Sequence, residues 1–231
     1  MPRAKRVFII LLAIWLLVST FIVTIIVAGD PVARAILAMG WGLIILWVLI
    51  AGSLMYKYRD SVKRVFTRIP LPWPVKFTIF VTGLMLIEEA VTTLMTNLAP
   101  VFGVKMGEAF ITASSNYFEV VFLHSVIYFI GPFIFWALVL RKRDFSPFAA
   151  FIIFGLMGTL AEIGLAGPQA ILQFGLWIFV YGLMIYLPVY CLPSAAERGA
   201  KPAEWYLHIL MIFLPLLFVP LTAWVPPLLD I

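Results

Sequence analysis

The residues with the most chemical potential in this chain are acids and histidines set inside long apolar runs. Glu88 and Glu89 stand side by side, with no basic residue between Lys76 and Lys105. Two adjacent carboxylates cannot easily both carry charge in a low-dielectric interior, so the pair is suited to holding or passing a proton, or to activating water. Further along lie Glu119 and His124 in one apolar run, Glu162 in the next, and His208 in the last. An ionisable side chain at mid-bilayer costs ~2.5–3.5 kcal/mol on insertion scales, and such groups usually face a bundle interior or a cavity.

Helical spacing assigns polar neighbours to these groups. Glu89, Thr93 and Thr96 share one face, and Glu88 and Thr92 another. Tyr117, His124 and Tyr128 align at i, i+7 and i+11, whereas Asn116 and Glu119 form a pair about 140° of rotation away. Gly155, Gly158, Thr159 and Glu162 lie on one broad face, whose small residues let another helix come close and bury the acid. Gln169, Gln173, Trp177 and Tyr181 form an i, i+4 stripe that reads first as helix–helix contact. The candidate reactive set is therefore Glu88, Glu89, His124 and Glu162, with Thr92, Thr93, Asn116, Glu119 and Gln173 as its polar surroundings. His208 reads as a structural residue near an interface.

These groups must be carried by membrane helices. Of the 231 residues 64% are hydrophobic and 12% charged, against about half and a quarter in a soluble domain. A helix needs about 20 apolar residues to cross the hydrocarbon core. Seven segments qualify, at about 7–28, 31–56, 75–98, 116–140, 147–166, 168–192 and 204–225. The expected fold is one all-α domain, a polytopic bundle of about seven spans. Six spans would result if the last, proline-broken segment (Pro215, Pro220) only dips into the membrane. The first apolar run is too long for a cleaved signal and reads as the first span.

The net charge of +5 comes from short basic clusters between apolar runs, not from a nucleic-acid stripe. With the N-terminus inside, the inner segments hold all but Arg34 and Lys105 of the 16 Lys and Arg. Positive-inside bias thus predicts N-terminus inside and C-terminus outside. The stretch from Lys57 to Arg68 reads first as an ordinary basic loop. Its second reading is a short interfacial helix with Val62, Val65, Phe66 and Ile69 on lipid. Counting at ~1.5 Å per residue puts the polar positions of the third to sixth spans in the outer half of the membrane. Consecutive elements tend to be neighbours, so they are expected to form one cluster.

The segment Glu88-Glu89-Ala-Val-Thr-Thr93, the later His124, and Gly155-Leu-Met-Gly158-Thr-Leu-Ala-Glu162 together resemble the CAAX-protease-like intramembrane metalloproteases over about residues 88–175. That family carries E-E-x-x-x-R, F-x-x-x-H and H-x-x-x-N on successive helices. The resemblance implies a divalent metal held by His124, a water activated by Glu88, and Glu89 in support. Thr93 stands where the arginine belongs and Val120 where the phenylalanine does. The third motif is missing, with Gln173 its nearest polar residue. The Glu-Glu pair is also similar to the P-x-E-E segment of membrane lycopene cyclases, with Leu86 in place of the proline.

The leading reading is an intramembrane enzyme, such as a metal-assisted hydrolase or a degenerate relative of one, working on a lipidic or peptide substrate; the alternatives are a proton- or cation-coupled transporter or channel and a non-catalytic membrane subunit or scaffold. The expected setting is the cell membrane, with lipid and a membrane-embedded substrate or partner subunit as partners, and no nucleic acid. No nucleotide-binding loop, nucleophile elbow or haem pair is present, and the single Cys191 cannot form an internal disulfide.

Overall fold

A computed structural model describes residues 2–218. The chain is a helical bundle. Among the described residues six helices are long and apolar enough to cross a membrane: α1 (Arg3–Ile26), α2 (Pro31–Arg68), α3 (Trp73–Asn97), α4 (Tyr117–Leu140), α5 (Pro147–Ala166) and α6 (Pro168–Cys191). A shorter apolar helix, α7 (Trp205–Leu217), packs on α5 and α4. Large apolar side chains such as Leu11, Phe21, Ile25, Leu49, Ile79 and Phe122 are exposed on the outside of the bundle. That inverted surface, with six apolar helices of spanning length, is that of a multi-pass membrane protein.

Local chemistry sets where the helices begin. Asp30 caps α2 by accepting from the N–H of Val32 (2.9 Å) and Ala33 (3.2 Å), with Pro31 in the first turn. Ser146 Oγ accepts from Ala149 N (3.1 Å) ahead of α5, again with a proline in the first turn. In both, the cap satisfies an orphan N–H and the proline sacrifices none.

Two elements differ from the sequence expectation. The basic stretch from Lys57 to Arg68 is neither a loop nor a separate interfacial helix: it continues α2, which runs for 38 residues with a π-helical stretch at Ile44–Ala51. At ~1.5 Å per residue that is ~57 Å, longer than the ~40–45 Å of a whole bilayer. The residues between 56 and 69 include no glycine or proline to stop it. The last expected span, 204–225, is represented by α7, and residues 219–225 with Pro220 and Trp224 lie outside the described residues.

Helix α6 is the hub. It is far more buried than the peripheral α1. It packs on α5, α2, α3 and α1. Its tightest seam is with α5. A Cβ on Gly155 would sit 2.6 Å from Ile178 Cα, and one on Gly182 would sit 2.6 Å from the Phe151 carbonyl oxygen. In lipid there is little hydrophobic drive between helices, so such backbone proximity supplies the dispersion contacts. Trp47, fully buried on α2, donates its indole N–H to the Val180 carbonyl of α6 (3.0 Å).

The segments expected on the inner side gather at one end of the bundle. Arg143–Asp144 pairs in parallel with Lys201–Pro202. Arg198 donates to Asp144 and to the carbonyls of Leu140 and Pro193, and its guanidinium lies over the Trp73 ring. Arg143 pairs with Glu204 (2.7 Å), Tyr190 donates to Asp60 (2.5 Å), and Lys5 sits over the Phe148 ring.

Two predictions follow from this packing. Gly155→Ala and Gly182→Ala force backbone apart and should each cost about 1–3 kcal/mol of stability. Gly83→Ala, whose Cβ meets nothing within 4 Å, should leave the thermal midpoint in detergent unchanged or slightly raised. Arg198→Ala removes the shared donor of Asp144, Leu140 and Pro193, and should lower stability by about 2–3 kcal/mol. Arg198→Lys should recover only part of that, because an ammonium cannot reproduce the planar fork. Thermal unfolding of purified full-length protein reads both.

Candidate functional site

Glu88 and Glu89 lie on α3 toward the end opposite the Arg198 junction. The two carboxyls have different surroundings. Glu89 is partly buried and wrapped by hydroxyls: Ser125 Oγ donates to its Oε1 (2.5 Å), while Thr92 Oγ1 (3.2 Å) and Thr112 Oγ1 (3.3 Å) approach its Oε2. These donors come from α4, from α3 itself and from the loop after α3. Glu88 is 6% exposed. Among the described residues its carboxyl makes no hydrogen bond; the Thr92 hydroxyl, which has one proton for the Glu89 carbonyl (3.1 Å) or Glu89 Oε2 (3.2 Å), lies 3.4 Å from the Glu88 backbone carbonyl.

Glu162 on α5 accepts a hydrogen bond from the Tyr181 hydroxyl of α6. The glycine seam positions this pair. Gly158, one turn before Glu162, lies directly beneath the Tyr181 ring, where a Cβ would fall 2.2 Å from the ring carbons. Phe129 of α4 also stacks on that ring, with centroids 5.9 Å apart. Glu88 feels the charge of both Glu89 and Glu162, Glu162 feels that of Glu89, and Tyr181 feels all three. The carboxyls of α3 and α5 thus share one electrostatic neighbourhood, with Tyr181 among them.

Positive charge is scarce there. The ion pairs among the described residues, Arg143–Glu204 and Arg198–Asp144, are both at the other end of the bundle. His124 is the basic group whose charge Glu89 feels. Among the described residues the buried Thr93 Oγ1 and Trp177 Nε1 find no hydrogen-bond partner.

The position of His124 corrects the helical alignment of Tyr117, His124 and Tyr128. Tyr117 does face α3, donating to the Leu86 carbonyl (3.0 Å). His124, however, is exposed, and the next residue, Ser125, is the one turned inward. The reason is a wide π-helical segment over Val120–Ser125. A π turn closes on residue i+5 and takes more residues than an α turn. Counting at 100° per residue therefore overshoots, and Ser125 comes round under Tyr117 where His124 was expected.

This placement bears on the metal that the metalloprotease resemblance implies. The one histidine it would use points out of the cluster. Among the described residues no three His, Cys, Asp or Glu side chains are placed to share an ion. The residues present do not fit that metal centre.

The other expected residues sit at the rim or in structural roles. Asn116 caps α4 by accepting from Phe118 N (3.0 Å), and exposed Glu119 accepts from Ser114 Oγ (2.8 Å). Gln169 folds back onto the Ala166 carbonyl, and Gln173 is half-buried at the start of regular α-helix in α6. Thr96 accepts from Ile111 N (3.2 Å), which ties the loop after α3 to the polar face of that helix. His208 packs its ring against Phe145 (5.0 Å) and its Nδ1 meets the Glu204 carbonyl. Ser125 and Thr112 were not expected. No periodicity marks Thr112, which is in a loop, and only the π segment turns Ser125 inward.

Comparison of the chain with family models, with curated proteins and with solved structures finds no match.

Two substitutions on α4 separate the π register from the regular one. Ser125→Ala strips Glu89 Oε1 of its donor and should cost about 1.5–3 kcal/mol. His124→Ala, on the exposed face, should stay within about 0.5 kcal/mol. The opposite ranking in thermal unfolding would place His124, not Ser125, against Glu89.

Proposed function

We propose that this chain is a proton- or cation-coupled transporter or channel of the cell membrane, with Glu88, Glu89 and Glu162 as its ion-coupled site. One observation carries the reading: three carboxyls share a buried neighbourhood with no lysine or arginine paired to them. Acids in that setting must be neutralised by protons or by a cation, and intramembrane acids of this kind mark ion pathways and proton relays.

In this reading the chain crosses the membrane seven times, N-terminus inside and C-terminus outside, within lipid. The gathering of the inner basic segments at one end supports the orientation, since only Arg34 and Lys105 belong to the other. The length of residues 204–225 supports the seventh crossing. Glu88 and Glu89 lie ~22 Å along α3 from its inner end, just past the midplane. The hydroxyls of Ser125, Thr92 and Thr112 hold Glu89 in an acceptor role. Tyr181 does the same for Glu162.

The adjacent acids also support a second reading, acid–base chemistry on a lipidic or peptide substrate within the membrane. It proceeds without the metal at His124, for the reason given above. A non-catalytic subunit built around the cluster is the third outcome.

Purified protein in liposomes under an imposed pH or sodium gradient should show pH-dependent flux above protein-free vesicles. Glu89→Gln should reduce that flux by more than about tenfold, the loss expected of a group acting in proton transfer. Absence of flux in well-folded wild-type protein, or full flux in both Glu88→Gln and Glu89→Gln proteins, overturns the transport reading.

A further inference from the structure

We infer that the ligand of this site is the proton and that Glu88 is the carboxyl that carries it, an assignment that rests on the ion-coupled reading above. The three acids are not equivalent. Glu89 is approached by three hydroxyl groups and Glu162 by one, and oxygens that accept hydrogen bonds are those that favour the anionic form. Among the described residues the Glu88 carboxyl accepts none, and the residue is only 6% exposed. A buried carboxylate with neither a donor nor a counter-ion is the costliest state of this group, and the neutral acid is the cheapest.

The charged and titratable groups facing Glu88 point the same way. Glu89 on its own helix and Glu162 on α5 both repel a negative charge there, and the electrostatic partner from α6, Tyr181, is a neutral phenol. From α4 the nearby basic group is exposed His124, which acts on Glu89. A metal ion is the weaker candidate ligand. Hard cations of this kind take six or more oxygens, and the described acids are not grouped to share an ion. A proton needs one oxygen.

The step itself is a transfer between like groups. The O–H bond of the Glu88 acid breaks and one forms on the Glu89 or Glu162 carboxylate, directly or through bound water. The total charge of the three groups is unchanged, and nothing is oxidised or reduced. The acceptor carboxyl then releases its proton and Glu88 takes up another, so that the three groups return to their starting state.

Infrared spectroscopy of the full chain in liposomes tests this. A carboxylic acid without hydrogen bonds absorbs at the high-frequency edge of the C=O region, apart from hydrogen-bonded acids. The expected result is such a band in wild-type protein, lost in Glu88→Gln and retained in Glu119→Gln. It should fade as pH rises and be indifferent to sodium at fixed pH. Glu88→Asp, with its shorter arm, should shift the band without removing it, which shows that its loss in Glu88→Gln is not loss of fold. A band that survives Glu88→Gln and disappears in Glu89→Gln or Glu162→Gln overturns the assignment to Glu88. A band that sodium abolishes at fixed pH overturns the proton as ligand while leaving ion coupling intact. If the Glu88 band behaves as expected but liposomes carry no flux, the transport reading fails and the proton site stands.

Discussion

Helices α5 and α6 approach each other so closely that a methyl group at Gly155 or Gly182 would overlap backbone of the other helix. Much of the bundle is arranged around that seam. Because the two backbones are nearly in contact, α6 can act as a hub against which α3, α2 and α1 also pack. The same proximity sets the Tyr181 ring over Gly158 and delivers its hydroxyl to Glu162. Lipid supplies no hydrophobic force to hold helices together, so the small residues of α5 do by dispersion what a greasy core does in a soluble protein.

The polar cluster is built almost entirely from hydroxyls and carboxyls. Each hydroxyl can donate once, which matches the demand of a carboxylate without adding charge. Nothing comparable serves Glu88, though it is the most buried of the three acids. The difference between Glu89, held from three elements, and Glu88, held from none, gives the cluster an internal asymmetry. The two neighbours thus differ in how fully their carboxyls are satisfied among the described residues.

The two ends of the bundle do different work. One is closed by ordinary soluble chemistry: the Arg198 fan, the Arg143–Glu204 pair and the short parallel bridge at Lys201. The exposed Glu197 there is held below the usual carboxylate range by the hydroxyl and backbone N–H of Ser194. At the other end the loop after α3 folds back on that helix through Thr96, Asn97 and Thr112. The loop therefore contributes directly to the shell of Glu89.

The sequence by itself determined the class of fold, the approximate limits of five of the six long apolar helices and the start of α2, the face shared by Gly155, Gly158 and Glu162, and the clustering of most basic residues at one end. These follow from local quantities: the length of apolar runs, the 3.6-residue period, proline and cap residues, and loop charge. Three things were decided only by tertiary structure. The basic stretch of α2 is held against α3, where Phe66 packs on Phe80 and Lys76 caps the C-terminal carbonyls of Phe66 and Ile69. Ser125 replaces His124 at Glu89 because a π turn breaks the regular period, and no sequence period announces such a turn. Thr112 reaches Glu89 because a loop folds back onto α3. Each depends on contacts between segments far apart in the chain, and a period counted along one segment cannot contain them.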